Sequence, residues 1–63
     1  MENKERTTGT VRFTDALGRV VLITAEGNAA LVHGYTGTAS VGSQVKLIRE
    51  EGKRRMTDWS IEP

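Results

Sequence analysis

The sequence predicts an all-β fold, a small antiparallel barrel of five strands. β-branched residues are abundant, with eight Thr, six Val and three Ile among 63 residues, and such side chains fit the pleated surface of a sheet. Seven glycines recur at roughly the spacing of turns between short strands. A competing helical interpretation is confined to residues 29–33, which are too few for a stable helix.

The chain has room for one small domain. A protein of 63 residues and 6.9 kDa buries only about 60% of the surface that its unfolded chain exposes, so its core must be thin. Residues 1–7 are mostly charged and are predicted to form a flexible segment, and residues 8–63 the single domain. The chain has no cysteine, so a well-packed core or self-association must replace disulfides and thiolate metal sites.

The first two strands are predicted at residues 8–14 and 19–25. Asp15, Ala16, Leu17 and Gly18 between them read as a turn. The second strand contains four consecutive aliphatic residues, at 20–23, which fits a strand that is apolar on both faces. A tight hairpin turn follows at residues 26–28, because Gly and Asn tolerate positive φ.

The remaining strands are predicted at residues 29–35, 44–50 and 55–61. The segment 36–43 is rich in Thr, Ser and Gly and is long enough to cross one end of a barrel. A turn at residues 51–53 separates the last two strands. Five strands with a long connection after the third suggest an OB-like barrel, and the same strand count and turn spacing also allow an SH3-like barrel.

Several segments resemble the bacterial cold-shock domain. Residues 9–13 read Gly-Thr-Val-Arg-Phe, where that family typically reads Gly-Thr-Val-Lys-Trp. Residues 20–24 fall on the family's first RNA-binding motif, Phe-Gly-Phe-Ile-Thr, and residues 31–33 on the second, Phe-Val-His. Residues 41–45 and 50–52 resemble the entry to its fourth strand and the acidic turn before its fifth. The resemblance spans about residues 8–62.

The resemblance implies a cold-shock-like barrel that binds single-stranded RNA or DNA with modest affinity. In the family, phenylalanines on strands two and three stack on unpaired bases. This sequence departs from that pattern, because it has Val20, Leu22 and Leu31 at those positions. Phe13 stands where the family has a stacking tryptophan.

The resemblance and the chain's few rings give the candidate base contacts. Phe13 and Tyr35 are expected to contact bases, the alternatives being a core position for Phe13 and loop packing for Tyr35. His33 is expected to hydrogen-bond or stack on a base, and otherwise is an exposed residue without a role. Trp59 shares the strand parity of Ile61 and is expected to pack against the barrel.

Basic residues supply the candidate phosphate contacts, which bind without regard to base sequence. The alternative for the run at residues 53–55 is a charged hairpin that protects an exposed edge. The expected phosphate contacts are Arg12, Arg19, Lys46, Lys53, Arg54 and Arg55.

A second hypothesis is a protein-interaction barrel. Val20, Leu22 and Leu31 are expected on the outer face, where they form an apolar surface that a soluble monomer does not leave bare. The alternative is that the chain's own loop covers this surface. The partner is then a second copy of the chain or another protein.

Enzymatic and membrane functions are not expected. The single histidine and the absence of cysteine leave no metal site, and the serines lie in no nucleophile elbow. The loop at residues 34–43 lacks the Gly-Lys-Ser/Thr ending of a phosphate-binding loop, so no cofactor is expected. The net charge of +1 excludes a strongly basic nucleic-acid-binding chain. Without an apolar run of about 18 residues or a signal peptide, we expect a cytoplasmic protein.

Overall fold

The computed structural model describes residues 3–62 and confirms the all-β fold. It contains five strands and one short 3-10 turn, η1. The elements are β1 (Lys4–Thr14), β2 (Val20–Thr24), β3 (Ala29–Val32), β4 (Gln44–Glu50), η1 (Met56–Asp58) and β5 (Ser60–Ile61).

The strands form one antiparallel sheet in the order β3-β2-β1-β4-β5. β1, β2 and β3 follow one another through tight turns. The chain then crosses to place β4 on the other side of β1, which is the Greek-key order on which the OB barrel is built. The sheet curls into a half-barrel, consistent with a small OB-like or SH3-like barrel. Within residues 3–62, no helix is long and apolar enough to cross a membrane.

β1 is the strand that joins the two halves of the sheet. Its second half pairs with β2, from Gly9 opposite Thr24 onward, and its first half pairs with β4. The prediction of a flexible segment over residues 1–7 is therefore wrong for residues 4–7, because β4 supplies their ladder partners. Lys4 lies opposite Glu50, with 4.0 Å between Nζ and Oε1. Residues 1 and 2 lie outside the described part of the chain.

A β-bulge interrupts β1 at Arg12. Val11 lies opposite Leu22, whereas Phe13 lies opposite Val21, so Arg12 is the extra residue. The bulge changes the direction of the side chains that follow it. Val11 is fully buried, and both Arg12 and Phe13 are exposed.

The core lies on the concave side of the half-barrel. The expected outer surface of Val20, Leu22 and Leu31 is wrong for its first two members, which are 2% and 0% exposed. Side chains alternate along a strand, so a shift of one residue exchanges the faces. The buried apolar residues are Val11, Val20, Leu22, Ala30, Val32, Leu47 and Trp59.

Three of the five strands are shorter than the sequence predicted. β4 has the predicted bounds, whereas β2 is shorter by one residue at each end and β3 ends at Val32. The expected strand at residues 55–61 is a 3-10 turn followed by two strand residues. Asp58 produces this turn, because its Oδ2 accepts the backbone N–H of Arg55 at 2.8 Å.

Candidate functional site

The convex face of β1, β2 and β3 carries a row of apolar side chains. Phe13 lies opposite Val21, and Val21 lies opposite Leu31, so the row crosses three adjacent strands. Ile23, two residues beyond Val21, extends it along β2. Phe13 is 55% exposed and Ile23 is 37% exposed, whereas Val21 and Leu31 are half-buried. These four residues are called the outer patch below.

Three of the predicted polar contacts lie around the outer patch. Arg12 is exposed on the bulge beside Phe13 and forms no ion pair with another residue of the described chain. His33 is exposed two residues beyond Leu31, past the end of β3. Lys46 is exposed on β4 opposite Thr8, which lies on the β1 segment leading to the patch. The structure thus leaves one ring and three polar side chains exposed on or next to the strands of the outer patch.

Arg19 is held by the turn between β1 and β2. Its Nε lies 2.7 Å from Asp15 Oδ2, while Asp15 Oδ1 accepts the backbone N–H groups of Leu17 and Arg19. The backbone hydrogen bond from Arg19, followed by its side-chain hydrogen bond and the bond from Leu17, lowers the pKa of Asp15. A phosphate at Arg19 therefore competes with Asp15, which leaves Arg12 as the stronger phosphate candidate of the two.

The Asp15 contacts make the stability of the turn depend on pH. The pKa of Asp15 is lowered in the folded state from its ordinary value of 3.8, so the stabilisation is present above that value. It is lost as the pH falls through the lowered folded-state value. We expect Asp15→Asn to lower the melting temperature at neutral pH, and the difference from wild type to shrink below about pH 4.

Thermal melts monitored by circular dichroism across this range measure the effect. Glu51→Gln is a matched control, because Glu51 is exposed and its side chain makes no hydrogen bond within residues 3–62. A difference between wild type and Asp15→Asn that stays constant with pH contradicts the assignment.

Tyr35 belongs to the packing of the long loop. Its ring is half-buried against the core, and its backbone N–H donates to the carbonyl of Gly18 at 3.0 Å. A Cβ on Gly37 would lie 2.5 Å from the Tyr35 Oη, so a larger residue there would displace the phenol. The loop-packing alternative therefore describes Tyr35 better than a position on the outer patch.

The basic run at residues 53–55 lies away from the outer patch. Arg54 and Arg55 line a groove of about 570 Å³ on the open side of the half-barrel, between the β2–β3 turn and η1. Lys53 lines a separate, smaller depression with Lys4 and Glu50. The structure thus divides the predicted phosphate contacts into two groups.

The floor of the groove is a stacked arrangement that the sequence did not predict. Arg49 lies 4.2 Å from the centroid of the Trp59 ring and forms an ion pair with Glu5, with 3.2 Å between Nε and Oε1. Trp59 is only 7% exposed, which confirms that it packs against the barrel. Glu5 and Arg49 face each other across the β1–β4 ladder. The sequence did not predict this arrangement because Glu5 lies in residues 1–7, which were expected to be flexible.

The resemblance to cold-shock domains stays a prediction, and the residues on its first motif face the core at Val20 and Leu22. Comparisons of the chain with protein-family models, with curated protein sequences and with solved structures give no match.

Proposed function

We propose that the protein is a non-enzymatic module that binds single-stranded RNA or DNA on its outer patch. One observation carries the proposal: the exposed ring of Phe13 lies in an apolar row beside Arg12, which has no ion-pair partner within residues 3–62. An aromatic face and an adjacent free cation are the two elements of single-strand recognition. Of the stacking positions in the cold-shock resemblance, only Phe13 and Leu31 lie on this face, because Val20 and Leu22 of the first motif are buried in the core.

The patch binds a strand by stacking and by charge. One base stacks on Phe13, and the next lies on Val21 and Leu31. Arg12 and Lys46 contact phosphates, and His33 reaches a base edge at the end of β3. A single ring supplies stacking for one base, roughly 1–3 kcal/mol, and few cations contribute, so the affinity is modest and weakly dependent on salt.

Phe13→Ala tests the stacking contact. We expect it to weaken binding of a labelled single-stranded oligonucleotide about tenfold, because a stacking partner is lost. Fluorescence anisotropy at two salt concentrations measures this, with both RNA and DNA oligonucleotides.

Arg12→Ala tests the phosphate contact in the same assay. It should weaken binding and also reduce the slope of affinity against salt by about one phosphate contact.

Two variants serve as controls for this assay. Phe13→Leu keeps apolar bulk and removes the ring, so stacking predicts a loss close to that of Phe13→Ala. Lys53→Ala removes a cation away from the patch and should leave the affinity unchanged. Absence of binding to wild type at low salt, or equal affinity of wild type and Phe13→Ala, contradicts the proposal.

A second candidate function is contact with another protein through the same patch. Three of its four side chains, Val21, Ile23 and Leu31, are aliphatic, and the net charge of the chain is only +1. An exposed aliphatic row is typical of protein interfaces. In that case Phe13→Leu retains binding, oligonucleotides do not compete, and Ile23→Glu abolishes the association measured by light scattering.

A further inference from the structure

The open groove has a charge pattern that the outer patch does not explain. Six of the side chains that form it are ionised. Glu5 is paired with Arg49, and Arg6 is paired with Glu62 outside the groove. Glu26 lies on the opposite wall, where both of its carboxylate oxygens are within 3.0 Å of the Thr7 hydroxyl. Arg54 and Arg55 form no ion pair with any residue of the described chain. The groove therefore contains two guanidinium groups, from consecutive residues, that form no ion pair within residues 3–62.

Two arginines without ion-pair partners favour an anion that carries more than one negative charge. A carboxylate carries one negative charge, whereas a phosphate monoester carries about −1.5 to −2 at neutral pH and has three acceptor oxygens. Guanidinium binds such groups through paired, charge-assisted hydrogen bonds. The charge of Arg54 and Arg55 together is therefore balanced by one phosphate monoester.

The other residues of the groove indicate which groups the ligand carries besides its anion. The groove is half open to solvent, and its volume of about 570 Å³ is large enough to admit a small molecule. Met56, which is 52% exposed, offers an apolar contact, and Glu26 on the far wall accepts hydrogen bonds from hydroxyl groups. A nucleotide has this sequence of groups, with a phosphate at one end, a sugar carrying hydroxyls and a flat base.

We propose that this groove binds a nucleoside monophosphate group, with its phosphate held by Arg54 and Arg55. The group comes either from a free nucleotide or from the 5′ end of a nucleic-acid strand. The site is separate from the outer patch and does not depend on the function proposed for that patch. Arg49 is not part of it, because its guanidinium is occupied by Glu5 and by the ring of Trp59.

Trp59 makes the test specific, because it is the only tryptophan and it lines this groove. Adenosine monophosphate, adenosine and inorganic phosphate are titrated while tryptophan fluorescence is followed, and calorimetry repeats each titration so that binding without a fluorescence change is detected. We expect saturable binding of adenosine monophosphate, weaker binding of inorganic phosphate and none of adenosine. Arg54→Ala and Arg55→Ala should each weaken binding about tenfold, as expected for a lost hydrogen bond to a charged group.

Lys53→Ala is the matched control, since Lys53 neighbours Arg54 in sequence but lines another depression. Phe13→Ala should leave the affinity for adenosine monophosphate unchanged, so failure of the outer-patch proposal is seen separately.

A 5′-phosphorylated tetranucleotide distinguishes the two sources of the nucleotide. If it binds more tightly than both adenosine monophosphate and its 5′-hydroxyl counterpart, the strand end is the source. Tighter binding of adenosine monophosphate identifies the free nucleotide. Absence of binding by both methods, or binding that survives the double Arg54→Ala, Arg55→Ala variant, overturns the proposal.

Discussion

Leu22→Ala is expected to remove a large part of the protein's free energy of unfolding. Leu22 is completely buried, and with Leu47 and Val11 it is one of the three largest fully buried side chains. Truncating a buried leucine costs about 3–5 kcal/mol, from the lost burial and from the cavity that remains. A domain of this length has a free energy of unfolding of roughly 3–9 kcal/mol, so the substitution removes a large part of it.

Urea denaturation followed by the fluorescence of Trp59 measures this change. Ile23→Ala is the matched control, because Ile23 is the next residue on the same strand and is 37% exposed on the other face. We expect it to cost less than about 1 kcal/mol. If Ile23→Ala costs as much as Leu22→Ala, the faces of β2 are assigned wrongly and the outer patch does not exist.

Gly9→Ala is expected to destabilise the protein by about 1–3 kcal/mol, because it overpacks the core. Gly9 is buried within β1, and a Cβ there would lie 2.7 Å from Leu47 Cδ1 and 3.2 Å from Leu22 Cδ2. Gly9 is not among the glycines with positive φ, so the cost comes from the space and not from the backbone.

A double-mutant cycle isolates this contact. Leu47→Val shortens the side chain whose Cδ1 meets the added methyl, so Gly9→Ala should cost less in the Leu47→Val background than in wild type. Urea denaturation of the four proteins gives the coupling free energy. Costs that simply add would show that Leu47 is not the obstacle.

The features that depend on local chemistry were predictable from the sequence. The hairpin turn at Gly27 is confirmed, with a φ of +87°, because its signal lies in neighbouring residues. The β4 bounds and the burial of Trp59 are likewise confirmed. Gly9 was placed in the first strand but was given no role in the core, since its use as a gap there depends on Leu47, which lies far along the chain.

The face of β2 was predicted wrongly for a physical reason. Four aliphatic residues in succession carry no alternation, so the run at residues 20–23 fits either face. One end of the strand held a signal, because Arg19 is a charged residue two positions before Val21 and indicates that the odd-numbered positions face outward. Thr24 at the other end is polar and suggests the opposite from sequence alone. In the structure its hydroxyl accepts the Asn28 N–H across the turn, and Thr24 is only 4% exposed.

The candidate sites were only partly predictable, because each depends on long-range pairing. The position of Phe13 was left open by the sequence, and the bulge at Arg12 decides it. The groove requires β1 to extend to Lys4, where its partner is Glu50 on β4. No pattern within residues 4–7 indicates a partner so distant in the chain.

The double pairing of β1 also sets an order for folding. β1, β2 and β3 meet through short turns, whereas pairing of Gly9 with Val45 must close a much longer loop, which is slower to form. Before β4 pairs with it, the first half of β1 has unpaired backbone N–H and C=O groups that could pair with another chain. That half begins Lys4-Glu5-Arg6, and charged side chains discourage intermolecular pairing of exposed strands. We therefore expect the charges at the start of β1 to disfavour aggregation of the chain before β4 has paired.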